Sequence, residues 1–183
     1  NSYTIAESMD VWKEFQPNLV VFYGGVNDTL DKRYTQSRRQ REEALQMSRS
    51  VGLLRLASQS DSIQILARLL SQQNQEQVSE VSIEEAKYNL LQIASLPKSK
   101  TLLLTEWVRA PLKKEIQGYE DLQKELAAQN SNIYHLDLRR ALSDNEIDQL
   151  LIDANHPSEK GHLKIANIIQ EWIVKNVITS KEQ

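Results

Sequence analysis

Two short stretches of this chain carry residue types that can do chemistry. Near the C-terminal end the sequence runs Asp153-Ala154-Asn155-His156-Pro157. A carboxylate three residues before an imidazole, in a tight turn, can hydrogen-bond one ring nitrogen, fix the tautomer and leave the other nitrogen as a general base. Pro157 biases His156 toward extended backbone angles and so helps to hold the ring. The plainer reading is a surface turn and helix cap. Near the other end, Gly24-Gly25-Val26-Asn27-Asp28 follows an apolar run. The glycine pair, Gly25 in particular, permits a sharp turn, and Asn27 then offers an amide donor of the kind that suits a developing oxyanion. The plainer reading makes Asn27 and Asp28 turn formers or a cap.

The elements that must position these residues are visible in the hydrophobic pattern. Three strand-length apolar runs, 19–23, 101–108 and 133–138, are rich in β-branched and aliphatic residues. Helical spacings lie between them: Ile5, Met9, Trp12 and Phe15; Ile83, Ala86, Leu90 and Ile93; Ile116, Tyr119, Leu122 and Leu126. Ile165, Ile168, Ile169, Trp172 and Ile173 form the stripe of a last helix, with Pro157 and Ser158 at its start. Strands alternating with helices predict an α/β, three-layer sandwich with a parallel sheet. Three strands make a small sheet, so one or two further strands are expected ahead of residue 1. Both chemical stretches then fall after strands or before a helix, where open α/β sheets gather ligand groups.

The two stretches together resemble the SGNH hydrolase family, also called GDSL esterases and lipases. Gln16-Pro17-Asn18-Leu19-Val20-Val21 leading into Gly25-Val26-Asn27-Asp28 is similar to the family's third block, and Asp153-Ala154-Asn155-His156-Pro157 with Gly161 downstream is similar to its fifth. The likeness covers most of the chain. It implies a flavodoxin-like fold, Asn27 as an oxyanion-hole donor, His156 as general base and Asp153 as its orienting acid. The family's first block, a Gly-Asp-Ser turn carrying the nucleophile, occurs nowhere in these residues. Ser60-Asp61-Ser62 follows no strand and reads as a helix cap, and none of Ser2, Ser8, Ser131 or Ser158 has the small neighbours of a nucleophile elbow. Ser158 reads as a cap, and Ser2 stands where the family's second block would supply a backbone N–H. The nucleophile is therefore expected from a segment before residue 1.

Composition narrows the alternatives. The 183 residues carry a formal net charge of only −3 and no cysteine. That small charge gives no broad field for nucleic acid or an anionic membrane, and the missing thiols exclude disulfides and thiolate metal sites. With no ligand-spaced histidine cluster, neither a metal nor another cofactor is expected. His135, in the third strand pattern, and His162, beside Gly161, read as packed or solvated side chains, and the three tryptophans as core. Residues 31–82 read as a helical insertion or lid, with Arg33, Arg38, Arg39, Arg41, Arg49 and Arg55 among acids and glutamines. Arg109 reads as either a cleft residue or a surface charge. The whole is expected to be one domain and a monomer.

Three functions fit this reading. The first is a serine hydrolase of carboxylic esters working through an acyl-enzyme on a small-molecule or glycan-linked ester. The second is an inactive binding module with the same groove. The third is an acyltransferase acting on a cell-surface glycan. The resemblance also carries an expectation of an extracytoplasmic, secreted or anchored protein.

Overall fold

The computed structural model describes residues 2–29, 39–40, 42–43 and 81–178. The insertion or lid expected over 31–82 lies almost wholly outside them. Of its six arginines only Arg39 is described: it pairs with Glu43 at 2.9 Å and lies over the Tyr88 ring, 5.5 Å from its centroid.

Strand β1 (Leu19–Tyr23) is preceded by helices α1 (Ser2–Glu7) and α2 (Met9–Phe15) and followed by a single turn, α3 (Val26–Thr29). Helix α4 (Ile83–Ala94) leads into β2 (Lys100–Leu104), α5 (Ala110–Gln129) into β3 (Ile133–Leu136). A 3₁₀ turn (Leu138–Ala141), α6 (Asp144–Leu150), α7 (Glu159–Ile173) and a π-helical turn (Val174–Ile178) complete the order among the described residues. Helix starts follow local chemistry. Ser82 and Ser143 each accept the N–H of a glutamate three residues on, and that glutamate reaches back to the cap backbone. Pro111 opens α5, where its missing N–H costs nothing.

The strands are parallel in the order β1-β2-β3, with Tyr23 level with Leu104 and Leu104 level with Leu136. Their C-terminal ends therefore form one rim. Side chains alternate between two cores. Phe22, Leu103 and Ile133 pack with α4 and α5 on one face, while Leu102 and Leu104 pack with Leu151 and Ile165 on the other, joined by Tyr134, Leu136 and Trp172. Helices thus cover both faces of the sheet, the expected α/β sandwich. The central strand carries this out most fully: Leu102, Leu103 and Leu104 are all completely buried, as a parallel strand with helices on both sides should be.

The structure departs from the sequence pattern in three places. The apolar run 101–108 stays a strand only to Leu104, because the next residues turn away to bond with neighbouring segments, as described below. The run 133–138 ends at Leu136, where the Asp137 side chain accepts the Arg139 N–H and starts the 3₁₀ turn. The periodic set Ile5, Met9, Trp12 and Phe15 is divided between two helices that break at Ser8, whose hydroxyl bonds back to the Thr4 carbonyl at 2.9 Å. The break changes the phase of the stripe. Only Met9 of the set is buried, while Trp12 is 46% and Phe15 71% exposed. Trp12 is accordingly not a core tryptophan, unlike Trp107, which is wholly buried.

Candidate functional site

The loop between α6 and α7 is built around one carboxylate. Asp153 accepts the backbone N–H groups of Asn155 at 3.1 Å and His156 at 2.9 Å. It also takes the ring Nδ1 of His156, at 2.9 and 2.8 Å from its two oxygens. Those backbone donors first, and the ring after them, hold the Asp153 carboxyl at about 2, so it is ionised at any working pH. An ionised carboxylate only accepts, so Nδ1 carries the proton and Nε2 is left as the basic nitrogen. The side chains are 68% (His156) and 56% (Asp153) exposed. An ion pair this wet adds little to stability; what the bonds accomplish is orientation.

The loop is closed at its base. The Ile152 N–H donates to the His156 carbonyl at 2.8 Å, and the Ser158 N–H to the Leu150 carbonyl at 2.8 Å, around an antiparallel bridge between Leu151 and Pro157. Ser158 then caps α7, its hydroxyl accepting the Gly161 N–H at 3.2 Å. Gly161 is what lets α7 start so close to α6: a methyl group there would run into the Leu150 carbonyl oxygen and crowd the Pro157 ring. Replacing Gly161 by alanine should cost about 1–3 kcal/mol of stability through overpacking. It should also loosen the turn that carries His156. Thermal melting checks this, and an unchanged midpoint would show that the helices part without cost.

The segment that follows β2 ties this loop to the rest of the rim. Thr105 Oγ1 meets His135 Nε2 at 2.8 Å, and burial lowers the pKa of that imidazole. Glu106 accepts the Val26 N–H at 2.5 Å. The Trp107 N–H points to the Tyr23 hydroxyl at 3.5 Å. The Arg109 N–H donates to the Ala154 carbonyl at 2.9 Å, and its guanidinium to the Leu151 carbonyl at 3.4 Å. Arg109 therefore anchors the histidine loop. Four consecutive structural partners, β3, the α3 turn, β1 and the 151–157 loop, are joined through one short stretch.

The glycine turn sits on the same rim. Gly25 has φ 140°, and a Cβ there would enter the Tyr119 ring, so both backbone and space demand glycine. Val26 packs under the turn against Val108 and Ile116. Asn27 follows, exposed, as the second residue of α3. Its neighbour Asp28 is fully buried and accepts the Ser2 N–H, at 2.9 Å to one oxygen and 3.3 Å to the other. Burial raises the pKa of that carboxyl, against the Ser2 N–H that lowers it. Asn89 Nδ2 completes the link by donating to the Ser2 hydroxyl at 3.2 Å. Ser2, expected to offer a backbone N–H to the site, spends it on Asp28.

The structure thus unites Asp153 with His156 directly. It sets Gly25 and Asn27 on the same rim, linked to the histidine loop through the 105–109 segment. Sequence reading overlooked Glu106, although a lone acid inside the apolar run 101–108 was a signal. Asp28 was taken as a turn former, and nothing local marks its partner. His162 is exposed on α7. Among the described residues no cluster of three or more His, Cys, Asp or Glu could hold a metal ion, and no helix is long and apolar enough to cross a membrane.

A parallel sheet between helical layers, with an acid-steered imidazole and a glycine-asparagine turn on its C-terminal rim, defines an α/β protein of the SGNH type. The model of the family described as GDSL-like Lipase/Acylhydrolase matches residues 2–169, and the chain belongs to that family. Its class is accordingly that of the ester hydrolases and acylhydrolases. No curated protein and no solved structure matched the chain.

Proposed function

We propose that the full-length protein is a serine hydrolase of carboxylic esters that works through an acyl-enzyme. The observation that carries the proposal is the Asp153–His156 pair: an exposed imidazole, with Nδ1 committed to a carboxylate at 2.8 Å, on a loop joined to the Asn27 turn through the 105–109 segment. In this reading Nε2 of His156 takes the proton of a serine hydroxyl, supplied by the family's first block from outside these residues, as its oxygen attacks the ester carbonyl. The carbonyl oxygen becomes an oxyanion, and the Asn27 amide donates to it. The imidazolium, stabilised by Asp153, returns the proton to the departing alkoxide. Water then repeats the sequence on the acyl-serine and releases the acid. The substrate is an ester of a small molecule or a glycan.

The experiment is covalent capture. Incubated with a fluorophosphonate, the full-length protein should gain one phosphonyl group on a serine and lose hydrolysis of a short activated ester in proportion. Absence of both labelling and turnover would favour a binding module that keeps the groove without the chemistry. Acyl transfer to an added sugar exceeding release of free acid would move the reading to an acyltransferase.

A further inference from the structure

Glu106 stands directly beyond the central strand, between Thr105 and Trp107, and its carboxylate is the acceptor for the Val26 N–H at 2.5 Å. That N–H belongs to the residue before Asn27, in a helix of four residues. One turn has little cooperative hydrogen bonding to hold itself, and it follows Gly25, a residue with wide backbone freedom. The aim of the Asn27 side chain is therefore set by what grips its two neighbours: Asp28 is bonded to Ser2 and Val81 on one side, and Val26 is held on the other. Val108 and Ile116 hold its side chain, and Glu106 holds its backbone across 80 residues of sequence. A carboxylate makes the stronger class of hydrogen bond to an N–H.

We propose that Glu106 is a positioning residue of the site, which by gripping Val26 fixes the direction in which Asn27 presents its amide beside His156. The role in turnover rests on the hydrolase reading above; the grip itself does not. Glu106 acts through Val26 and meets no reacting atom.

The surroundings of Glu106 make the grip observable. Asp28 from α3, Tyr119 from α5, Tyr23 from β1 and His156 from the 151–157 loop are the titratable groups that face it. Burial pushes its carboxyl up to about 7, against the lowering by the Val26 N–H; Asp28 adds to the rise, and His156 opposes it. Glu106 therefore changes charge around neutral pH, and an N–H aimed at it must register the change.

The test follows the Val26 amide of the full-length protein by NMR over roughly pH 5 to 9. In the wild type its proton resonance is expected to move through a midpoint well above the ordinary carboxylate range, and in Glu106→Gln to lose that movement. Kinetics supply the second measurement. Glu106→Ala should lower kcat by on the order of 10²-fold with KM within about threefold, the scale of a misaimed catalytic group. Glu106→Gln, which keeps an oxygen acceptor on the same stem, should recover most of that loss. A Val26 resonance that does not titrate, or titrates equally in Glu106→Gln, overturns the proposal, as does an undiminished kcat in Glu106→Ala. A protein that hydrolyses no ester yet shows the Val26 titration would refute the hydrolase reading and leave the grip standing.

Discussion

Replacing His156 by alanine is expected to reduce kcat for a short activated ester by about 10⁴–10⁶-fold, the scale on which removing the base of a serine triad acts. KM should change little, since the ring contributes to proton transfer and not to holding the ground-state ester. The fold should persist. The imidazole is mostly solvent-exposed, and the loop keeps its Arg109 anchor to Ala154, its Ile152-to-His156 backbone bond and the two backbone donors to Asp153. Melting temperature is thus the control, expected within a degree or two of the wild type because exposed substitutions typically change stability by less than about 0.5 kcal/mol. Turnover that survives the change, in a protein with an unaltered melt, would remove His156 from the mechanism. Asp153, its carboxyl held at about 2, is fully charged in the range where the imidazole works and adds no ionisation of its own to the rate profile there.

The second large effect belongs to Asn27. Alanine at this position should lower kcat by about 10²–10³-fold, equivalent to about 2.7–4 kcal/mol of lost oxyanion stabilisation. KM should again stay near its original value, because the donor is worth most when charge has developed on the carbonyl oxygen. Asn27→Asp is the sharper companion. It has almost the same shape but replaces a donor by a negative acceptor, so it should be at least as slow as alanine. An aspartate variant with near-normal kcat would mean that no oxyanion forms beside this residue. Both substitutions lie on an exposed residue of a short turn, so a collapse of the melting temperature is not expected.

The sequence declared the parts of this molecule whose causes are local. Leu102, Leu103 and Leu104 read as a strand because they are buried on both faces, and α5 read as a helix because Ile116, Tyr119, Leu122 and Leu126 share one buried side. The Asp153–His156 bond was legible because both partners lie within a single turn. What could not be read depended on distance in sequence. Glu106 finds its partner 80 residues away and Asp28 finds Ser2 26 residues away; nothing near any of the four residues announces the meeting. Arg109 looked ambiguous for the same reason, since its acceptors are carbonyls of the later loop. Strand length was overestimated at 101–108 because Trp107 and Val108 are apolar for burial beneath the rim and not for pairing in a ladder. The break at Ser8 was hidden by a periodicity that runs unbroken across it.

The closeness of the Asp153–His156 pair along the chain has a mechanical consequence. Spacing within that pair is set by three peptide units, whereas spacing between the imidazole and the Asn27 amide is the sum of many packed contacts across sheet and helices. Any slackening of the core through heat, denaturant or a void is felt first in the second distance. A partly loosened molecule would keep a competent base facing a poorly aimed donor.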